Sequence, residues 1–281
     1  MTSPKVSVLP DSTRTEITGF SKWLSKSTPP IIAFVLFLVI WQAIILISGL
    51  KPFVLPGPIN VIQAFIDKSS DLASAAWFTF RSSSISFVLV IILGTGVSFI
   101  LTSNKFIEKA LYPYAVMLQS TPVIALAPII IIWFGLGFGS IVVISVIIAI
   151  FAVVANTTQG LISVENNLQN LFKLYGASSN QTLTKLRLPF ALPYMITGWR
   201  IASAQVVIGS IVGEYMAGAG GSGQGGLGLV IAFTSVRLQT PYLFASAITS
   251  ALMGVAFFLV VNFIGHLLLR NWHESAVQHE N

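Results

Sequence analysis

Along the 281-residue chain, apolar runs of membrane length alternate with short polar breaks. The first run, Ile31–Ser48, follows a polar stretch, residues 1–29, that carries Lys5, Arg14, Lys22 and Lys26 against Asp11 and Glu16. About 18 apolar residues approach a full bilayer crossing and exceed the core of a signal peptide, so the run predicts a retained helix that begins on the inside. Leu55-Pro56-Gly57-Pro58 stops it, and Ile59, Ile62, Phe65 and Ile66 then share one helical face, as a helix lying flat in the outer interface requires. Further membrane helices are expected over 84–101, 111–133, 141–158, from Tyr194 onward and over 241–269, with a short helix at Leu227–Val236. The pattern is that of an all-α polytopic membrane protein with about six transmembrane helices. It has a polar tail at 1–29, a membrane domain at 30–270 and a short tail at 271–281.

The longest polar interruption is residues 166–193, NNLQNLFKLYGASSNQTLTKLRLPFALP, within a connection spanning about 160–193. Its cations, Lys173, Lys185 and Arg187, meet no acid inside it, and basic loops resist translocation, so the loop is placed in the cytoplasm. Gly176 lets a helix end or turn, and Pro189 and Pro193 set the start of the next membrane helix. A short helix, a turn and a second helix outside the bilayer form a shape that a partner can grip. With this topology ten of the fifteen basic residues are cytoplasmic, Lys51, Lys68, Arg81 and Arg237 lie outside, and Arg200 lies within a helix. The inverted topology would put the ten outside and is rejected, so both termini are expected in the cytoplasm of a bacterial-type inner membrane protein.

Two polar features lie inside the apolar runs. Segment 111–133 contains Pro113, Pro122 and Pro128, and prolines free backbone carbonyls that a membrane helix tolerates where it packs or encloses water. Gln119, Ser120, Thr121 and Pro122 are therefore a candidate wall of a translocation pathway. On the fifth helix Arg200, Ser203, Ser210 and Glu214 fall on one face at about 100° per residue, with Arg200 and Glu214 ~21 Å apart. Arg200 is expected to reach the inner headgroups. Ser203, Ser210 and Glu214 are expected to line the pathway, facing a second copy of the chain, with Glu214 at its mouth.

Composition narrows the functional classes. At 54% hydrophobic and 9% charged, the chain builds its core against lipid. The net charge of +6 would suggest nucleic acid in a soluble protein, but here the cations gather on one side of the spans, so no nucleic-acid partner is expected. The absence of cysteine excludes disulfides and thiolate metal sites, and His266, His273 and His279 lack acidic or histidine partners at ligand spacing, so no metal is expected. Gly218, Gly220 and Gly223 formally match a dinucleotide fingerprint. They sit in a glycine-rich run, 217–228, that no strand precedes and no ribose-binding acid follows, and the run is read as a mobile outer loop. With no Gly-x-x-x-x-Gly-Lys-Ser/Thr loop, the chain binds no cofactor of its own, and any ATP must be hydrolysed elsewhere. An ion-coupled secondary transporter would want mid-membrane acids and internal repeats, and an intramembrane enzyme a nucleophile with its base or a metal cluster. Neither pattern is visible.

The spacing of the polar loop resembles the signature of ABC importer permeases, Glu-Ala-Ala, three residues, Gly, nine residues, Ile-x-Leu-Pro. Gly176, Leu188 and Pro189 match it, and Leu186 stands for the Ile. Asn170, Leu171 and Phe172 occupy the Glu-Ala-Ala positions, so that half is degenerate, and Ala177 follows the glycine. Residues 55–58, the Thr79-x-Arg81 pair, residues 121–128 and 133–135, Gly198-x-Arg200 and Glu214 are similar to the nitrate, sulfonate, taurine and pyrimidine-precursor branch of that family. The resemblance implies a type I importer permease fold. It also implies two membrane subunits, two ATPase subunits that bind ATP-Mg, and an extracytoplasmic solute-binding protein. Residues 206–215 and 238–245 look most like members associated with pyrimidine thiamine precursors or riboflavin, with taurine, sulfonate or nitrate as the alternative.

Overall fold

A computed structural model describes residues 17–118, 122–217 and 225–269, and every regular element among them is helical. In order these are α1 (Ile17–Ser48), α2 (Pro58–Asp67), α3 (Ser69–Leu101), α4 (Lys105–Leu118), a 3-10 turn (Val123–Leu126), α5 (Ala127–Phe134), α6 (Phe138–Ile162) and α7 (Asn166–Leu174). There follow α8 (Ser179–Thr182), a π-helical stretch (Leu183–Arg187), α9 (Leu188–Ala217), α10 (Leu227–Val236) and α11 (Thr240–Leu269). Among the described residues five helical segments are long and apolar enough to cross a membrane: Ile31–Ser48, Ser69–Leu101, Phe138–Ile162, Ser179–Ala217 and Thr240–Leu269.

The chain divides into two compact units, residues 1–60 and 61–281. In the first, the apolar window of α1 has a mean hydropathy of 2.8 and buries none of its residues, so lipid is the solvent that suits it. Gly49, at φ +58°, closes α1 by donating its N–H to Ile45 O.

The second unit is built on α6. Its apolar residues are buried by α9 on one side and α3 on the other, in a cluster of Val90, Val142, Val146, Ala149, Val153, Ala202 and Val206. Apolar burial alone cannot choose this arrangement in lipid, where tails are as apolar as leucine, so small residues and hydroxyls decide it. Gly209 and Gly213, four apart on α9, let its backbone close on α6: a Cβ at Gly209 would lie 2.6 Å from Ser145 Cα, and one at Gly213 would lie 3.0 Å from Ile141 Cα. The hydroxyls then cross-link the helices. Ser145 Oγ donates to Val206 O at 2.7 Å, and Ser98 Oγ donates to Val154 O at 3.1 Å.

Three boundaries differ from those expected. The second membrane helix begins at Ser69, well before residue 84, because the polar run Ser82-Ser83-Ser84 does not break it. Ser86 donates to the Ser82 carbonyl one turn back and so satisfies itself inside the helix. The stretch 111–133 is divided between α4 and α5: Pro122 precedes a 3-10 turn, and Pro128 sits in the first turn of α5, where its missing N–H costs nothing. Helix five starts earlier than Tyr194, running unbroken from Ser179 through Pro189 and Pro193 to Ala217. Leu227–Val236 forms the expected short helix.

Candidate functional site

Two polar constructions stand at opposite ends of α9. The first is the loop that leads into it. Helix α7 ends at Tyr175, and Gly176 takes φ +70°, a left-handed conformation that a side chain disfavours. The amide of Ala177 donates to Phe172 O and that of Gly176 to Lys173 O, both at 3.0 Å, which is the paired closure of a Schellman turn. Phe172 and Ala177, six positions inclusive across the signature, are thereby held together. The chain then restarts on a capping box: Gln181 N–H donates to Ser178 Oγ at 3.3 Å and Ser178 N–H donates to Gln181 Oε1 at 2.8 Å.

This rigid helix–turn–helix presents apolar groups outward. Leu174 and Tyr175 are 85% and 83% exposed, with Leu171 beside them, and a hollow of about 300 Å³ opens between Leu171, Phe172, Tyr175, Ala177, Gln181 and Lys185. Asn170 is exposed on the same helix. Leu186, Leu188 and Pro189 are half-buried on the way to the membrane helices, Leu188 against a cluster of Leu161, Ala191 and Met195. All eight residues singled out in the loop thus belong to one continuous element.

The second construction surrounds Glu214, which is fully buried. Thr79 Oγ1 donates to Glu214 Oε2 at 2.8 Å, Ser82 Oγ donates to Oε1 at 3.2 Å, and the N–H of Gly228 donates to Oε2 at 3.0 Å. Leu227 N–H donates in turn to Thr79 Oγ1 at 2.9 Å. Leu227 and Gly228 are the first residues of α10, so the carboxylate takes the place of an N-cap from another helix and meets its positive end. Only glycine fits there: a Cβ on Gly228 would lie 2.1 Å from Ile211 O, and one on Gly226 would lie 2.2 Å from Glu214 Oε2.

This packing redirects the expectation that Ser203, Ser210 and Glu214 line a pathway facing another copy. All three are buried within the chain itself. Ser203 donates to Arg200 O at 2.7 Å, and Ser210 meets Ser145 Oγ of α6 at 3.4 Å. The polar stripe is a seam between helices, because a hydroxyl or carboxylate in lipid is held where neighbouring helices can satisfy it. Arg200 is half-buried, its guanidinium lying over Gly265 near the end of α11. Pro122 is exposed; Gln119, Ser120, Thr121 and the glycine triad at 218, 220 and 223 lie outside the described residues.

Sequence reasoning missed Ser82, Leu227 and Gly228 as partners of Glu214, and it met Thr79 only through family resemblance. No local signal marks them, since Thr79 and Glu214 are 135 positions apart. It also counted Arg187 only as a cation of the loop, whereas its Nε–H donates to Leu161 O at 2.9 Å and its Nη1 donates to Thr102 O at 3.3 Å. Among the described residues no group of His, Cys, Asp and Glu could hold a metal ion.

A family model described as the binding-protein-dependent transport system inner membrane component matches residues 90–274, a range that contains both constructions except Thr79 and Ser82. The chain belongs to this family. The permease is 34% identical over 249 residues to the formylaminopyrimidine transport permease protein ThiX of Halalkalibacterium halodurans, covering 87% of this chain and 96% of the relative. It is 30% identical over 256 residues to the riboflavin transport system permease protein RibX of Chloroflexus aurantiacus, covering 90% and 92%. Its fold is similar to that of a chain in an inward-facing structure of the MetNI methionine ABC transporter, with a TM-score of 0.57 over 71% of this chain and 95% of that one, at 19% identity. It is therefore a membrane-embedded transport subunit of an ABC importer, as the spacing from Gly176 to Pro189 implies.

Proposed function

We propose that this permease works as a pair of copies in the inner membrane, with both termini and the 166–189 element in the cytoplasm. Two partner ATPases bind and hydrolyse ATP-Mg and dock on that element, and an extracytoplasmic binding protein delivers the solute. The observation that carries the reading is the Schellman turn at Gly176, which fixes a helix pair while leaving Leu171, Leu174 and Tyr175 uncovered. Exposed apolar groups on a basic loop outside the lipid suit a protein partner. The pathway runs past Gln119, Ser120, Thr121 and Pro122, and the seam of Ser203, Ser210 and Glu214 holds the helices behind it. Arg200 stays near the inner interface.

The solute is a flat, neutral heteroaromatic compound of the aminopyrimidine or riboflavin kind. Two relatives that match over most of the chain are named for such solutes, and Ser203, Ser210 and Glu214 are engaged within the chain. Taurine, sulfonate or nitrate is the alternative. Reconstituted alone, the permease is expected to take up nothing under an imposed proton or sodium gradient. With ATPase, binding protein and ATP it is expected to accumulate labelled formylaminopyrimidine or riboflavin. Gradient-driven uptake by the isolated chain would overturn the importer assignment, and uptake of taurine instead would overturn only the solute.

A further inference from the structure

We infer that Arg187 is the positioning residue that passes movement of the 166–189 element to two membrane helices at once, α3 and α6. The inference rests on reading that element as the docking site of the ATPase. The hydrogen bonds of Arg187 go to none of the three exposed groups offered to the partner, Leu171, Leu174 and Tyr175. It points the other way, donating from Nε to Leu161 O at 2.9 Å and from Nη1 to Thr102 O at 3.3 Å. Leu161 lies in the last turn of α6 and Thr102 is the C-cap of α3. Carbonyls at helix ends lack an amide from their own helix and carry the negative pole of the dipole, so a cation placed between two such ends is held by both. A planar guanidinium can address two acceptors in fixed directions; an ammonium on a flexible stem cannot hold the same geometry.

The position of Arg187 along the chain adds a second, independent observation. It closes the π-helical stretch Leu183–Arg187, between the capped turn of α8 and the start of α9. There Leu188 N–H reaches Leu183 O across the widened turn, and such turns inside helices recur at working parts of proteins. Leu183 and Leu188 pack against Leu161, Ala191 and Met195. A push on α7 and α8 therefore meets one junction: α9 continues from it covalently, Leu188 bears on the core, and Arg187 carries the motion to α3 and α6. Without Arg187 the loop would still be attached to α9 and packed on Leu161, but it would lose its charged tie to the ends of α3 and α6.

The test uses the whole importer and the absence of native cysteine. Ile100→Cys, at the exposed loop end of α3, takes a single environment-sensitive dye. Its emission is compared before and after the ATPase is trapped with ATP and vanadate, in the Arg187 protein, in Arg187→Gln and in Arg187→Lys. Trapping is expected to shift the dye with Arg187 present. The shift should fall to about a tenth in Arg187→Gln and to an intermediate size in Arg187→Lys, in keeping with the loss of charge-assisted bonds. ATPase co-purification and trapped nucleotide should stay as in the parent. An undiminished shift in Arg187→Gln, or no shift even with Arg187 in place, overturns the inference. Loss of the ATPase in step with the shift also overturns it, by making Arg187 a docking residue. If the unaltered permease retains no ATPase, the docking reading itself falls, and that is seen before any variant is made.

Discussion

The two ends of α9 solve opposite problems. At the Glu214 end the buried clasp is closed inside the chain: a carboxylate receives two hydroxyls and an amide, and a helix start receives a carboxylate and a hydroxyl. At the loop end the backbone is equally well satisfied, by a Schellman turn and a capping box, yet the apolar side chains of Leu171, Leu174 and Tyr175 are left open. The first end is closed in one chain; the second leaves apolar side chains open. Lipid enforces the former, since an unpaired carboxylate cannot be tolerated there, whereas water outside the bilayer tolerates exposed leucines only at a cost that a partner can recover.

That contrast can be tested by the stability of the permease itself. Glu214→Ala should do the most damage, because it strands the Thr79 and Ser82 hydroxyls and the Gly228 amide in a buried site. A loss of about 3 kcal/mol is expected, read as a lower melting temperature in detergent, with Glu214→Gln milder because one carbonyl acceptor remains. An Ala variant as stable as the parent would mean that the clasp is only a bystander. Next in size is Gly176→Leu. A Cβ there meets nothing within 4 Å, so the cost is confined to the left-handed backbone, about 1–2 kcal/mol, but ATPase retention should fall as the turn re-forms elsewhere. Ser178→Ala removes the side-chain half of the capping box and should cost about 1 kcal/mol by the same thermal measurement.

Legibility from sequence divides along the same line. The loop could be read because its signals are local: a glycine, a run of nine residues and Leu-Pro lie within a single excursion from the membrane, and Gly176 took the turn that its freedom allowed. The helices could be read because apolar length is a composition property. The Glu214 clasp could not, because it joins positions far apart in the chain through hydroxyls that look like any other serine or threonine. Periodicity correctly put Ser203, Ser210 and Glu214 on one face. It could not say whether that face meets water, lipid or another helix of the same chain, and the close approach at Gly209 and Gly213 is what turns it inward. Segment 111–133 misled for a different reason: hydropathy sums across prolines that break the hydrogen-bond ladder.

The smallest expected effect on stability is the sharpest test of the asymmetry. Leu174 is 85% exposed, so Leu174→Glu removes almost no internal packing, and surface changes of this kind usually stay within about 0.5 kcal/mol. It adds an acid to the last turn of α7, beside Lys173, where the helix end slightly disfavours negative charge and the lysine partly offsets it. The isolated permease should therefore melt as before. If the proposed docking holds, the new carboxylate would have to be dehydrated at the interface that Leu174 offers, so ATPase co-purification and ATP-driven uptake should both be lost. Buried Val90, on the same chain but inside the helix core, should give the reverse when changed to Ala: a lowered melting temperature with the ATPase still bound. If Leu174→Glu keeps a full complement of ATPase, the open apolar ridge serves something other than docking, and the loop end would have to be regarded as complete in one chain after all.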